Sequence, residues 1–401
     1  MLFHRVLVNA VAESIIQIFS ERKHADRLIK RLFEENRKWG ARDRRFVAET
    51  IYEIVRWWRL LWFVLDKEPS LTKNDLYEVI AAFHIIKGNE IPSWDEFNSV
   101  DKTNIFKRYK DADTIRAVKE SIPDWLDEMG ENSVENWDDE IHSLNQQAPV
   151  ILRVNTFAVS KKSLQQLLHE EKIETTETEF APEALILNER QNVFNSKNYK
   201  AGLFEVQDAS SQQVAPFVEV EPGMRVIDAC AGAGGKTMHL GVLMQNKGRI
   251  IALDIHEWKL RTLKGRARRN NLDIIETRLI STKKVIKRLK NSADRVLLDV
   301  PCSGLGVLKR NPDSKWKLTP EICQNLLELQ KQILQNYSLM VKPGGRIVYS
   351  TCSIFPSENE RQIERFVIAM GGQFELIDQR HISPCKHGFD GFYMAALLRK
   401  Y

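Results

Sequence analysis

Cysteine is scarce in this 401-residue chain: Cys230, Cys302, Cys323, Cys352 and Cys385, an odd number with no C-x-x-C pair. Neither a disulfide framework nor a zinc ribbon is expected, so the thiols should be free and no metal site is expected. Long apolar runs are missing as well. No stretch reaches the roughly 18 residues of a membrane span, and Met1-Leu-Phe-His-Arg lacks the features of a secretory signal. A cytoplasmic protein with no membrane partner is the expectation. Internal repeats and low-complexity segments are absent, and Ser121 to His142 holds no Lys or Arg against eight acids.

What is present describes a soluble globular protein: 43% hydrophobic and 28% charged residues. The length predicts two or three domains. A net charge of +5 says little about partners, but its distribution is uneven. His256 to Lys290 carries 12 Lys/Arg against 3 acids, and Arg22 to Arg45 carries 10 against 4.

Residues 1–145 read as all-α, since Leu7, Val11, Ile15 and Ile18, then Val47, Ile51, Ile54, Val55 and Trp58, recur at helical spacing. The acidic stretch with Pro123 and the Ala148-Pro149 step mark a boundary. Residues 146–220 mix short apolar runs with one helix-like segment, which predicts a small α+β module. Within 221–401, apolar segments at Arg225, Arg249, Arg295 and Arg346 alternate with helical stretches, and Gly391 to Leu398 is a final strand candidate. Such β-α-β spacing predicts a parallel, doubly wound α/β sheet.

Asp228-Ala-Cys-Ala-Gly-Ala-Gly-Gly-Lys-Thr follows a strand and opens a helix, where backbone N–H groups are available to a ligand. A Walker A loop needs glycine where Cys230 stands, and a dinucleotide fingerprint needs its third glycine where Thr237 stands; both matches fail. S-adenosylmethionine is the third reading, with its methionine part over Cys230, Ala231, Gly232, Ala233, Gly234 and Gly235. Asp254, closing the second strand, is the acid for its ribose hydroxyls, although NAD enzymes share that feature.

Two more turns close apolar strands: Asp299-Val-Pro-Cys302-Ser-Gly and Tyr349-Ser-Thr-Cys352-Ser. If the first, fourth and fifth strands lie side by side about 4.8 Å apart, Asp228, Asp299, Cys302 and Cys352 share one edge. A single buried cysteine is usually a small apolar residue. Two in polar turns at adjacent strand ends point to thiol chemistry.

Together with Gly202-Leu-Phe-Glu-Val-Gln-Asp-Ala-Ser-Ser and Asp390-Gly-Phe-Tyr-Met-Ala, these three runs resemble the motifs of the RsmB/Sun group of RNA cytosine-C5 methyltransferases. The likeness is detailed from about Ala148 to Tyr401. More weakly, Ala41-Arg-Asp-Arg-Arg-Phe and Tyr52-Glu-Ile-Val-Arg are similar to a NusB-like RNA-binding domain. The resemblance implies a Rossmann-like class I methyltransferase domain with a seven-stranded, mostly parallel sheet, S-adenosylmethionine as cofactor, and RNA, above all ribosomal RNA, as partner. It implies that Cys352 attacks carbon 6 of cytosine, that Cys302 is required for product release, and that Lys236 lies near cofactor and base. Asp228 and Asp299 fall in the cofactor set, and Asp299 also contacts the N3 and amino edge of the base. To donate to N3, Asp299 must be protonated, which calls for a raised pKa in a dry site. Cys352, as a thiol of pKa about 8.5, needs help to ionise; a helix start near Pro356-Ser357 and local basic residues are the expected sources.

The chain departs from the family pattern twice. Gly232-Ala233 replaces the usual Ala-Pro, and the region where many members carry an adenine-contacting aspartate reads Leu279-Ile-Ser-Thr. No acid is assigned there; Ser281 is the candidate contact. Lys309, Arg310, Lys315 and Lys317 follow the Cys302 turn and are expected to contact RNA phosphates, while the 256–290 run is open between phosphate contact and a solvated face. A base must unstack to admit Cys352, which favours a loop or single strand. Other readings are a methyltransferase acting on DNA cytosine or an amino group, and an inactive RNA-binding ribosome-assembly factor. Amino-group enzymes do not require two cysteines, and the DNA enzymes typically use one Pro-Cys nucleophile. A monomer is the favoured oligomeric state.

Overall fold

The computed structural model describes residues 3–401. The chain divides into two compact units.

One unit runs to Gln146 and takes in Leu308–Pro320. Its helices include Arg5–Ser20, Ala25–Glu35, Ala41–Arg56, Trp58–Leu65 and Lys73–Ile86. The positions picked out by helical spacing are the ones that pack: Leu7, Val11, Ile15, Ile18, Val47, Ile51, Ile54, Val55 and Trp58 are all buried in one core.

The excursion 308–320 corrects a sequence-based expectation. Lys315 is wholly buried, with Nζ donating to Asn145 Oδ1 at 3.1 Å, and Lys309 is 5% exposed. Lys317 Nζ donates to the Lys23 carbonyl at 2.9 Å and pairs with Asp313. Arg56 Nη2 holds the Lys309 carbonyl at 3.0 Å, and Trp316 Nε1 the Val55 carbonyl at 2.6 Å. A cation removed from water cannot also neutralise a phosphate, so Lys309 and Lys315 are not phosphate contacts, and Lys317 already has its partners. Of the four, Arg310 and Lys317 keep partial exposure.

The second unit spans Gln147–Val307 and Glu321–Tyr401. Four short strands come first: β1 (Ile151–Val154), β2 (Thr175–Glu177), β3 (Ala184–Leu187) and β4 (Phe204–Val206). They form an antiparallel sheet in the order β2-β3-β1-β4, covered by the helix Lys161–Glu170 through Leu164 and Leu168.

Seven strands follow: β5 (Arg225–Asp228), β6 (Arg249–Asp254), β7 (Ile275–Leu279), β8 (Ala293–Asp299), β9 (Val341–Thr351), β10 (Phe374–Ile382) and β11 (Phe392–Arg399). Their order is β10-β11-β9-β8-β5-β6-β7. Pairs from β7 to β9 are parallel, and β11 is antiparallel to both neighbours. Helices flank the sheet on both faces, which is why Ile227, Ile251, Val296, Leu297 and Val348 form nearly continuous apolar strands rather than alternating ones. The Rossmann-like architecture is as expected. Side-by-side placement of β5, β8 and β9 brings the three sequence turns to one sheet edge, where such folds bind ligands.

Among the described residues no helix is long and apolar enough to cross a membrane, and no cluster of three or more metal-ligating side chains occurs.

Candidate active site

Register builds the site. Asp228 ends β5 level with Leu297, and Asp299 ends β8 level with Ser350 of β9. The Cys302 and Cys352 sulfurs lie 3.3 Å apart. Lys236 reaches Asp299 from the first turn of the helix Gly235–Leu243, Nζ to Oδ2 at 2.8 Å, and its ammonium sits 5.0 Å from the centre of the Phe392 ring. Asp299 Oδ1 accepts from Ser350 Oγ at 2.9 Å.

These contacts assign charge states. Burial works against the Lys236 ammonium, but the charge and hydrogen bond of Asp299, followed by the charge of Cys352, outweigh it and raise its pKa. The hydrogen bond with Cys352, and then burial, push the Cys302 thiol well above its ordinary value. The surroundings of Cys302 thus disfavour its thiolate, and Lys236 lies close enough to Cys352 to feel its charge. Both Asp299 oxygens have partners, one the Lys236 ammonium and the other the Ser350 hydroxyl. The expected helix start lies further on. The helix Glu360–Ala369 begins only after Asn359, and Lys236 is the cation whose field Cys352 shares.

Other residues hold these groups in place and were not assigned a role from sequence. Glu358 accepts from the Ser303 amide at 2.8 Å and its hydroxyl at 2.5 Å, and Gln330 ties Glu358 to the Pro301 carbonyl at 2.9 and 3.0 Å. Gly306 donates to the Cys352 carbonyl at 3.0 Å, and a β-carbon there would lie 2.3 Å from the Gly391 carbonyl oxygen. Only glycine allows the Cys302 turn to lie against the Cys352 turn so closely. Glu358 is 55 residues from Ser303, a separation that no local motif could reveal.

The Gly-rich turn fits a bound cofactor. Gly232 and Gly235 face open space, with nothing within 4 Å of a built β-carbon, which leaves a cradle above the backbone. Asp254 accepts from the amides of Gly232 at 2.9 Å and His256 at 2.8 Å, holding its carboxylate at the edge of that cradle. Cys230 lies in the same turn, its thiol pushed well up by burial. Ser281, exposed, follows β7 beside β6, where the Ile280 amide binds the Asp254 carbonyl at 2.9 Å. Lys283, Lys287 and Lys290 rim a nearby cleft of about 480 Å³ that excludes the two thiols.

Asp228 is 1% exposed; Oδ2 accepts from Thr237 Oγ1 at 2.6 Å, whereas buried Oδ1 has no protein partner. Burial pushes its carboxyl up to about 7, against about 3.9 for an unfolded aspartate. The folded state therefore binds this proton more tightly, and its stabilising effect is present in acid and fades as pH rises through 7. From about pH 5.5 to about pH 8 the loss is about 2 kcal/mol. Urea unfolding at both pH values should show wild type losing that much more than Asp228→Asn; equal losses would exclude Asp228 as the titrating group.

Comparison with known proteins agrees with this arrangement. The family model described as 16S rRNA methyltransferase RsmB/F matches residues 215–398, and the RsmF/B-like ferredoxin-like domain matches 122–194. A probable ribosomal RNA small subunit methyltransferase B from Synechocystis is 32% identical over 89% of this chain and 91% of that protein. Its counterpart from Bacillus subtilis is 34% identical, over 62% of this chain and 59% of that protein. The solved structure of PH0851 superposes over 100% of both chains with a TM-score of 0.80 at 23% identity, a likeness of fold. With the motif-bearing turns, the open Gly-rich turn and a relative matched along nearly its whole length, the chain belongs to the RsmB/F family of methyltransferases.

Proposed function

We propose that this enzyme transfers a methyl group from S-adenosylmethionine to carbon 5 of a cytosine in RNA, with small-subunit ribosomal RNA as the substrate class. The observation that carries the reading is the pair of sulfurs 3.3 Å apart beside the Lys236–Asp299 ion pair. Carbon 5 of cytosine is a poor nucleophile, so a thiolate must first add to carbon 6 and turn the ring into an enamine. Cys352 is that nucleophile, with Lys236 favouring its ionised form. Asp299, as a carboxylate, accepts from the 4-amino group and so orients the ring. Asp228, Asp254, the turn from Cys230 to Gly235, and Lys236 hold the cofactor. When bound, S-adenosylmethionine supplies an electrophilic methyl group.

Once carbon 5 carries the methyl group, its proton must leave before the carbon 6 to sulfur bond can break. Cys302 stands beside that bond: as its thiol proton passes to the departing Cys352 sulfur, the Cys302 thiolate so formed takes the carbon 5 proton, and both cysteines end as thiols. An inactive assembly factor would need neither thiol. Enzymes acting on amino groups or DNA have no use for the pair.

RNA contact is assigned to exposed cations. In the helical unit these include Arg37, Lys38, Arg42 and Arg45, consistent with an RNA-binding role for its NusB-like segment. The test is incubation with small-subunit ribosomal RNA and labelled S-adenosylmethionine, followed by nucleoside mass spectrometry. Label should appear in 5-methylcytosine; label in a methylated purine or in protein would refute the proposal.

A further inference from the structure

The Gly-rich turn is held from outside its own domain core. Arg153 of β1 donates from Nη1 to the Gly235 carbonyl at 2.7 Å, and Gln207 binds the same nitrogen. Arg266, on the helix Glu257–Arg269, donates from Nη1 to the Ala233 carbonyl at 2.9 Å, while Nη2 pairs with Glu205 of β4 at 2.9 Å. Glu205 is itself fixed by Asn270 at 2.6 Å and by Arg269. A third tie joins Glu183, just before β3, to His239 on the helix that the turn opens. Arg153 and Glu205 are each 2% exposed, so these ties are internal rather than surface decoration.

We infer that Arg153 and Arg266 are positioning residues for the cofactor, and that the small antiparallel sheet acts as a clamp on the Gly-rich turn. The inference rests on reading that turn as the S-adenosylmethionine site. In a planar trans peptide the carbonyl and the following N–H point in opposite directions. Pinning the Gly235 carbonyl on Arg153 therefore aims the Lys236 amide the other way, among the unpaired N–H groups at the start of the helix. Pinning the Ala233 carbonyl on Arg266 keeps the turn from closing over the space above Gly232 and Gly235. The two guanidiniums also add positive charge behind a helix N-terminus, which favours an anionic group in front of it.

Neither arginine reaches the two thiols, so the clamp should govern cofactor affinity more than the chemical step. Calorimetric titration with S-adenosylmethionine should give about a tenfold weaker Kd for Arg266→Met and Arg153→Met, with partial recovery in Arg266→Lys. The KM for S-adenosylmethionine should rise in parallel while that for RNA stays put and kcat changes less than about threefold. Hydrogen exchange of the Gly232 to Lys236 amides, without cofactor, should quicken about tenfold in the same variants. Arg153 is deeply buried and its variant risks misfolding, so partly exposed Arg266, together with Glu205→Gln, decides the matter. A folded Arg266→Met protein with wild-type exchange in the turn and wild-type Kd would overturn the clamp. Failure of the wild type to bind S-adenosylmethionine would instead sink the cofactor assignment, and the exchange data would still judge the clamp.

Discussion

Cys352→Ala should abolish methylation, by at least about 10⁴-fold, and form no covalent complex with RNA, while Cys302→Ala should trap protein on RNA as a denaturant-resistant adduct. The asymmetry follows from their environments. In the proposed mechanism Cys352 lies where Lys236 can compensate a negative sulfur, and without that sulfur carbon 5 would not be activated. Cys302 keeps its proton, because its hydrogen bond with Cys352 and its burial both disfavour the thiolate. Removing it leaves attack intact and strands the product, so turnover falls while adduct accumulates. Gel electrophoresis of both variants with RNA and S-adenosylmethionine reads the adduct directly, and a filter-binding assay checks that both still take up cofactor. Full activity in Cys352→Ala would end the covalent mechanism; adduct in Cys352→Ala and none in Cys302→Ala would reverse the two roles.

Lys236→Met should lower kcat by about 10²- to 10³-fold and move the pH-rate profile toward alkaline pH by about one unit. Lys236 binds Asp299 through a 2.8 Å hydrogen bond, and in the proposed mechanism it also faces the Cys352 thiolate. Loss of the ammonium leaves Asp299 short of its partner. Its side chain keeps 29% exposure, so the stability cost should be about 1–2 kcal/mol rather than the 3–5 kcal/mol of a fully buried pair. Adding Asp299→Asn should recover much of that stability and none of the activity, since the carboxylate is proposed to orient the base. Stopped-flow or discontinuous rate assays across pH make the measurement. An unshifted profile with near-normal kcat would show that Lys236 does not support the thiolate.

Much of this site is legible in the sequence because its signals are local. The turns around Asp228, Asp299 and Cys352 each follow a run of β-branched and aliphatic residues, and the β-α-β rhythm sets their strands in a parallel sheet. Charge is harder to read. Arg266, Arg269 and Arg278 fall in the basic 256–290 run, yet the first two are bound by Glu205 and the third by Glu276. Lys315 reads as a surface cation and is wholly buried. A charged residue declares its type in sequence but not its partner, and partners here come from strands or helices tens of residues away.

By itself the sequence determined the fold class, the Gly-rich turn and the two cysteines at strand ends, since apolar periodicity and turn composition are properties of short segments. Only the tertiary structure decided that the two sulfurs meet, that Lys236 pairs with Asp299, that Glu358 braces the Cys302 turn, and that Arg153 and Arg266 hold carbonyls of the Gly-rich loop. Those outcomes depend on burial and on distances between residues far apart in the chain, which packing alone creates.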